Sequence, residues 1–255
     1  MQSKPTIKAN PKGYALFDLD QTLAPWDMQL LFANWVFHWH PARRLYLIFF
    51  LATVPFAQFL GARRMKRLFL AILYGLSQEE VTSLCKQFSE HYCPQIFYPE
   101  ILTLLKEQQD ADHLCILTSA SPYLYVQHIG KKLGFDHTFG TEVTEPNHYP
   151  LFPEIHTNNK SVVKTERLRT WLNSQGIKDQ FPLPKSTAFT DSSADLPLVE
   201  IAEQAVLVHP SKSLEQTVRD DLKKPYRVLK PKRPFNTNLG HLGSSIQKLF
   251  GLYPI

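Results

Sequence analysis

At 255 residues the chain is long enough for one sizeable domain with an insertion, or for two small ones. With 44% hydrophobic and 12% aromatic residues it can bury a substantial core. Its three cysteines, Cys85, Cys93 and Cys115, show no CxxC spacing, which argues against a zinc site or a disulfide framework and fits a reducing, cytoplasmic setting. The first sixteen residues are polar and show no signal peptide. The net charge of +5 is unevenly spread. Residues 28–76 hold six Lys/Arg and no acid, and residues 222–255 hold seven and no acid, leaving 15 of the 28 basic residues against all 23 acids in the rest. Two basic segments on an acidic body point to an anionic partner, with solvated basic faces and a loose tail as the alternative.

Residues 13–19 read as a buried strand. From 26 to about 95 the pattern is helical: 28–39, 44–60, 62–75 and 77–92, the last opening on a capping box of Ser77 and Glu80. After Pro94 helix and strand alternate: a helix at 99–109, a strand at 113–118, and a helix at 122–133 with Gly134 past its end. Short strands near 138–152 follow, then a helix at 161–174. The "STAFTD" strand, a helix at 195–203, the "AVLVH" strand and a helix at 213–221 lead to "YRVL" as a last edge strand. Alternation of this kind predicts an α/β fold: a Rossmann-like parallel sheet with helices on both faces, interrupted after its first strand by an all-helical insertion. The expected division is a catalytic core of residues 1–25 and 96–228, a helical cap of residues 26–95, and a basic tail of residues 229–255.

Parallel sheets bind ligands outside the carboxyl ends of their strands. Asp18 and Asp20 in "FDLDQTL" lie at such an end, as do "LTSASP" and "FTDSSADLP", which brings Asp191 and Asp195 to the same edge. Four carboxylates gathered there need a cation. Mg²⁺ is the natural one, a hard ion usually held by a few carboxylates with water and substrate phosphate. Beside such an ion one carboxylate can attack phosphorus, and a second, two residues on, can move the proton. A hydroxyl and a lysine are then needed to hold the transferring group. Ser119 and Lys164, or Lys160, stand at suitable places.

"FDLDQTL", "ILTSASP", "KTERL" and "TDSSADLPL" occur in the order of the four motifs of the haloacid dehalogenase-like superfamily, and the chain resembles its phosphoserine-phosphatase-like branch, subfamily IB. The resemblance implies Asp18 as nucleophile, Asp20 as general acid/base and the Asp20 main-chain carbonyl as a Mg²⁺ ligand. It implies Ser119 as the phosphate-binding hydroxyl, with Thr118 as an alternative one residue away. Lys164 matches the third-motif lysine, with Lys160 as competitor. Asp191 matches a metal ligand and Asp195 a metal-supporting acid. The fourth motif departs from the usual Gly-Asp, with Thr190 in the glycine's place.

The expected function is therefore Mg²⁺-dependent hydrolysis of a phosphomonoester through an aspartyl-phosphate. The alternative is a catalytically silent scaffold at an anionic membrane surface. The cap also resembles that of bacterial phosphatidylglycerophosphatase C, which brings in a lipid phosphate beside phosphoserine as substrate. For phosphoserine, Asp27 would meet the amine and Arg67 the carboxylate, although Asp27 also reads as a helix N-cap. The apolar run from Leu45 to Leu60 is too short to span a bilayer, and one crossing would separate Asp18 from Ser119 and Asp191. It is a buried helix of the cap's own core, a helical hairpin with 28–39, or an interfacial segment for anionic lipid. Basic residues here alternate with aliphatics rather than with stacking aromatics, which argues against nucleic acid.

Overall fold

The computed structural model describes residues 11–177, 181–235 and 237–254, so the polar residues 1–10 lie outside the described part. Seven strands form one sheet: β1 (Tyr14–Phe17), β2 (Leu114–Pro122), β3 (His137–Val143), β4 (Ile155–Thr157), β5 (Ser186–Thr190), β6 (Gln204–Val208) and β7 (Tyr226–Leu229). Their order is β4-β3-β2-β1-β5-β6-β7, and β4 alone runs antiparallel, against β3. It lies just past the stretch where short strands were expected. β1 is central and buried along its whole length, as a parallel strand covered on both faces must be. The chain leaves β1 toward β2 on one side and later returns to β5 on the other, so the sheet's switch point lies at β1. Phe17 faces Leu117 on one side and Phe189 on the other in register. The next residues, Asp18, Thr118 and Thr190, therefore emerge together at the carboxyl edge.

Between β1 and β2 lie α1 (Met28–Trp39), α2 (Leu47–Leu51), α3 (Ala57–Phe69), α4 (Gln78–Tyr92) and α5 (Pro99–Asp110). Asp27 caps α1 by accepting from the Gln29 and Leu30 amides at 2.9 and 3.1 Å. The Ser77/Glu80 capping box of α4 forms as expected. The single helix expected over 44–60 does not form. Tight 3-10 turns occupy Pro41–Tyr46 and Val54–Phe56, each with a proline in its first turn, and Gly61 breaks α3 with φ 73° and ψ 162°. Proline removes a helical donor, and the left-handed φ at 61 suits only glycine well.

Alternating helices complete the fold: α6 (Tyr123–Leu133), α7 (Val162–Ser174), α8 (Leu196–Ile201), α9 (Lys212–Gln216) and α10 (Asn238–Leu249). The helix expected over 213–221 is α9 followed by a wider π turn at Thr217–Asp221. Two apolar clusters cover the sheet's faces. One includes Leu16, Leu168, Leu198 and Val199. The other runs from Phe17 through Phe32 and Phe88 to Tyr125. Phe32, Phe88 and Tyr125 hold α1, α4 and α6 together, with ring centroids 4.8–5.6 Å apart. The helical insertion thus shares its core with the sheet.

The outer segment of the insertion behaves differently. Leu45, Ile48, Leu51, Val54, Phe56 and Phe59 are exposed. The cap-core alternative therefore holds for α1, where Leu31, Phe32, Val36 and Phe37 are buried, and within 45–59 for Leu47, with Phe50 packed against the core, but not for the six exposed residues.

The C-terminal segment is not a loose tail. α10 packs on α1, and the buried Asn34 side chain pairs both backbone groups of Tyr253, each at 3.1 Å. Arg44 donates to the Gly251 carbonyl at 2.9 Å. Asn34→Ala strands a buried N–H and C=O, so it should lower unfolding stability by about 1–3 kcal/mol in a urea titration. It should also open the bond after Lys248 to trypsin; wild-type resistance retained in the variant would show that this clamp does not hold the tail.

Candidate active site

The site starts at the tip of β1, where the chain turns sharply after Asp20 with Gln21 at φ 58°, a left-handed conformation uncommon for a residue with a side chain. Asp18 is buried and its Oδ1 accepts from Lys164 Nζ at 2.6 Å. Lys164, on the first turn of α7, also reaches Asp195 at 2.8 Å. Thr190 donates to Asp195 Oδ2 at 3.1 Å and accepts the Ser192 amide at 3.1 Å. The hydroxyl that replaces the usual glycine therefore braces both the loop and the acid that holds the lysine. Thr22 lies between Asp191 Oδ1, at 2.9 Å, and Asp18 Oδ2, at 3.3 Å.

Asp20 is held separately. Its carboxylate accepts from Ser119 Oγ at 2.9 Å, Ser121 Oγ at 2.9 Å and the Met28 amide at 2.7 Å. The last donor is an N-terminal amide of α1, so the cap's first helix is tied to this acid. Asn159, fully buried, donates to Thr118 Oγ1 at 3.1 Å and to the Ser119 carbonyl at 2.9 Å. Of the two candidates, Thr118 is thus engaged by Asn159, and Ser119 is the one whose hydroxyl reaches an acid. Lys160 is exposed, whereas Lys164 is buried at the centre.

The four acids do not form one cage. Asp18 and Asp195 flank Lys164, Asp20 sits among hydroxyls and an amide, and Asp191 meets Thr22. Among the described residues no three acid, histidine or cysteine side chains form a ready-made metal-binding group. The expected convergence of four carboxylates on one ion is corrected accordingly, because the Lys164 ammonium already stands between Asp18 and Asp195. The remaining charge is still out of balance. Burial raises Asp18 well above the carboxylate range, and Asp195, Asp20 and Asp191 push it further against the pull of Lys164. Burial, then Asp27, lifts Asp20 to about 6, and burial chiefly lifts Asp191 to about 6. Oxygen donors with excess negative charge and few committed protein partners suit Mg²⁺, which binds one or two carboxylates and keeps water. Asp18, Asp191 and the Asp20 carbonyl are the residues that fit it.

Two substrate assignments change. Arg67 donates to the Pro153 and Phe152 carbonyls at 3.0 and 3.2 Å, which ties it to a loop away from the acids. Lys66, one residue earlier, is the cap cation that points inward, reaching Asn158 Oδ1 at 2.8 Å and Thr141 Oγ1 at 3.0 Å. Burial lowers its pKa to about 8, with Asp20 acting against that shift. Asp27 performs its capping role, with its carboxylate engaged by α1 amides. Ser121, Asn159 and Lys66 were missed from sequence. Ser121 sits inside the quoted "TSASP", but nothing local marks Lys66 over its neighbours in "RRMKR".

A model of the haloacid dehalogenase-like hydrolases matches residues 15–200. An inhibition of morphological differentiation protein from Streptomyces azureus is 24% identical over 233 residues, 88% of this chain and 80% of that protein. A phosphoserine phosphatase from Mycobacterium tuberculosis is 24% identical over 216 residues, 81% of this chain and 68% of that protein. Among solved structures, a Bordetella pertussis protein of unknown function superimposes with TM-score 0.71 at 22% identity, covering 85% of this chain and 98% of its own. A phospho-aspartyl intermediate analogue of phosphoserine phosphatase gives 0.56 at 17% identity, covering 88% and 96%. These likenesses show a shared Rossmann-like fold with a helical insertion. The chain belongs to the haloacid dehalogenase-like hydrolase family.

Proposed function

We propose that the chain is a Mg²⁺-dependent phosphomonoesterase that works through an aspartyl-phosphate on Asp18. The observation that carries this reading is the buried line Asp18–Lys164–Asp195 at the tip of the central strand, beside Asp20 and Ser119. An Asp18 oxygen attacks phosphorus and the ester P–O bond breaks. Asp20 gives its proton to the leaving oxygen, then takes one from the water that attacks the phosphoryl group; phosphate leaves and Asp18 is restored. A pKa near 6 suits Asp20 to both transfers. The Lys164 ammonium and the Ser119 hydroxyl hold phosphoryl oxygens, since this transition state is stabilised mainly by position and charge. Bound Mg²⁺, held by Asp18, Asp191 and the Asp20 carbonyl, would offset charge on the transferring group.

The substrate is a phosphomonoester, either a lipid phosphate such as phosphatidylglycerophosphate or a small metabolite such as phosphoserine. Two observations favour the lipid. Arg67 is turned to the Pro153 and Phe152 carbonyls, whereas a carboxylate-binding arginine would face the acids. The cap also presents an apolar surface over 45–59, bordered by the exposed Arg63 and Arg64. The apolar surface and its basic border support a peripheral place at an anionic membrane.

Asp18→Asn should abolish turnover of p-nitrophenyl phosphate in Mg²⁺, because an amide cannot attack; turnover equal to wild type would overturn the aspartyl-phosphate reading. A substrate panel of phosphatidylglycerophosphate and phosphoserine ranks the two classes, and a preference for phosphoserine would remove the lipid assignment.

Stability should also report on the metal. Asp20 and Asp191 have folded pKa values above their unfolded ones, so they bind more protons when folded. Stability from these groups is complete below the ordinary carboxylate range and is lost as pH rises through about 6. Mg²⁺ should therefore raise Tm more at about pH 7.5 than at about pH 5. An equal effect at both would show that the Asp191 carboxylate does not bind the ion.

A further inference from the structure

The outward face of α10 is built against ordinary solvent logic. Leu239, Leu242 and Ile246, at spacings of three and four, form one exposed ridge, with Leu239 77% and Leu242 57% accessible. The opposite face of the same helix buries Ser244 and Lys248, the latter 2% accessible. The Lys248 ammonium lies 3.5 Å from the centre of the Trp26 ring and 3.8 Å from that of Tyr253. Burial pulls its pKa down to about 7. A surface helix normally turns its lysine to water and its leucines inward. Here the cation is sunk against aromatic rings while the aliphatics face outward.

The C-terminal end of α10 lies beside the start of the exposed apolar segment of the cap. Arg44 bonds the Gly251 carbonyl, and the Gly251 α-carbon lies so close to Phe37 that an added methyl would approach it to 2.5 Å. The end of α10 is thus seated where the segment bearing Leu45, Ile48, Phe56 and Phe59 begins. The two apolar surfaces are continuous with stretches, 28–76 and 222–255, that contain no acid. Arg63, Arg64, Lys230 and Lys232 are exposed on them.

We propose that α10 and the cap segment 45–59 form one composite face that docks on an anionic lipid bilayer, with α10 lying in the interface. The inference rests on the peripheral-membrane part of the reading above and gives the C-terminal helix its role. Charge selects the occupant. A second copy of the chain would set like basic stretches against each other, because a two-fold interface pairs like with like. Anionic headgroups complement them instead, and each basic side chain near such a surface adds about 1 kcal/mol. A spanning arrangement does not compete. Pro41–Leu73 is long and apolar enough to cross a membrane, yet it is broken at Gly61 and fastened to β3 by Lys66 and to the loop before β4 by Arg67.

The test is co-sedimentation with phosphatidylglycerol/phosphatidylcholine vesicles and with phosphatidylcholine alone, using the full chain without substrate so that the outcome is independent of turnover. The expected result is salt-sensitive binding to the anionic vesicles. It should weaken about tenfold or more in Leu242→Gln/Ile246→Gln and likewise in Phe56→Ser/Phe59→Ser, at unchanged circular dichroism. No binding at low salt overturns the inference together with the peripheral-membrane reading and leaves the phosphatase reading intact. Binding lost with the cap pair but kept with the α10 pair overturns this inference alone. A dimer in sedimentation equilibrium that the α10 pair dissociates makes a second copy the occupant and also overturns it.

Discussion

The Lys164 ammonium, buried between Asp18 and Asp195, is the interaction on which the rest depends. Removing charges from water is costly unless each finds an opposite charge or a hydrogen bond. One lysine cannot neutralise Asp18, Asp195, Asp20 and Asp191 together. The structure manages the surplus by separation: Thr190 supports Asp195, Thr22 supports Asp191, and two serines with a helix amide support Asp20. What remains unbalanced is expressed as raised carboxyl pKa values. A site with that residual charge is suited to receive a cation, and an anionic phosphoryl group with it.

The same economy of partners couples the helical insertion to the sheet. The Met28 amide belongs to α1, yet it completes the coordination of Asp20 by hydrogen bonds. Lys66 belongs to α3, yet its ammonium ends on Thr141 of β3 and on Asn158. A displacement of the insertion would change the surroundings of the acid proposed to move protons. The shared aromatic packing of Phe32, Phe88 and Tyr125 opposes such a displacement.

Away from the site, the molecule reverses the usual sorting of side chains. Asn34 and Lys248 are buried because Tyr253 and Trp26 give them partners, while leucines and phenylalanines of α10 and the outer cap are exposed. The buried polar contacts fix the C-terminal segment against α1, which leaves its apolar ridge no route into the core. This exposed apolar surface is the feature on which the proposed docking rests.

The sequence by itself determined the parallel sheet and the acids at its edge. An apolar run followed by a carboxylate, as after β1 and β5, or by hydroxyls, as in β2, is a local pattern, and register then carries Asp18, Ser119 and Asp191 to one edge. It also placed Lys164 at a helix start and the capping box at Ser77. It could not separate Ser119 from Thr118 or Lys164 from Lys160, because adjacent hydroxyls and one-turn lysines look alike until Asn159 claims Thr118 and burial leaves Lys160 outside. Nor could it choose Lys66 over Arg67, whose directions depend on how Gly61 breaks α3. The exposed cap segment and the seated tail were decided only in three dimensions. Apolar content is a property of the chain, but which apolar face finds a partner depends on segments more than two hundred residues apart, as Asn34 and Tyr253 show.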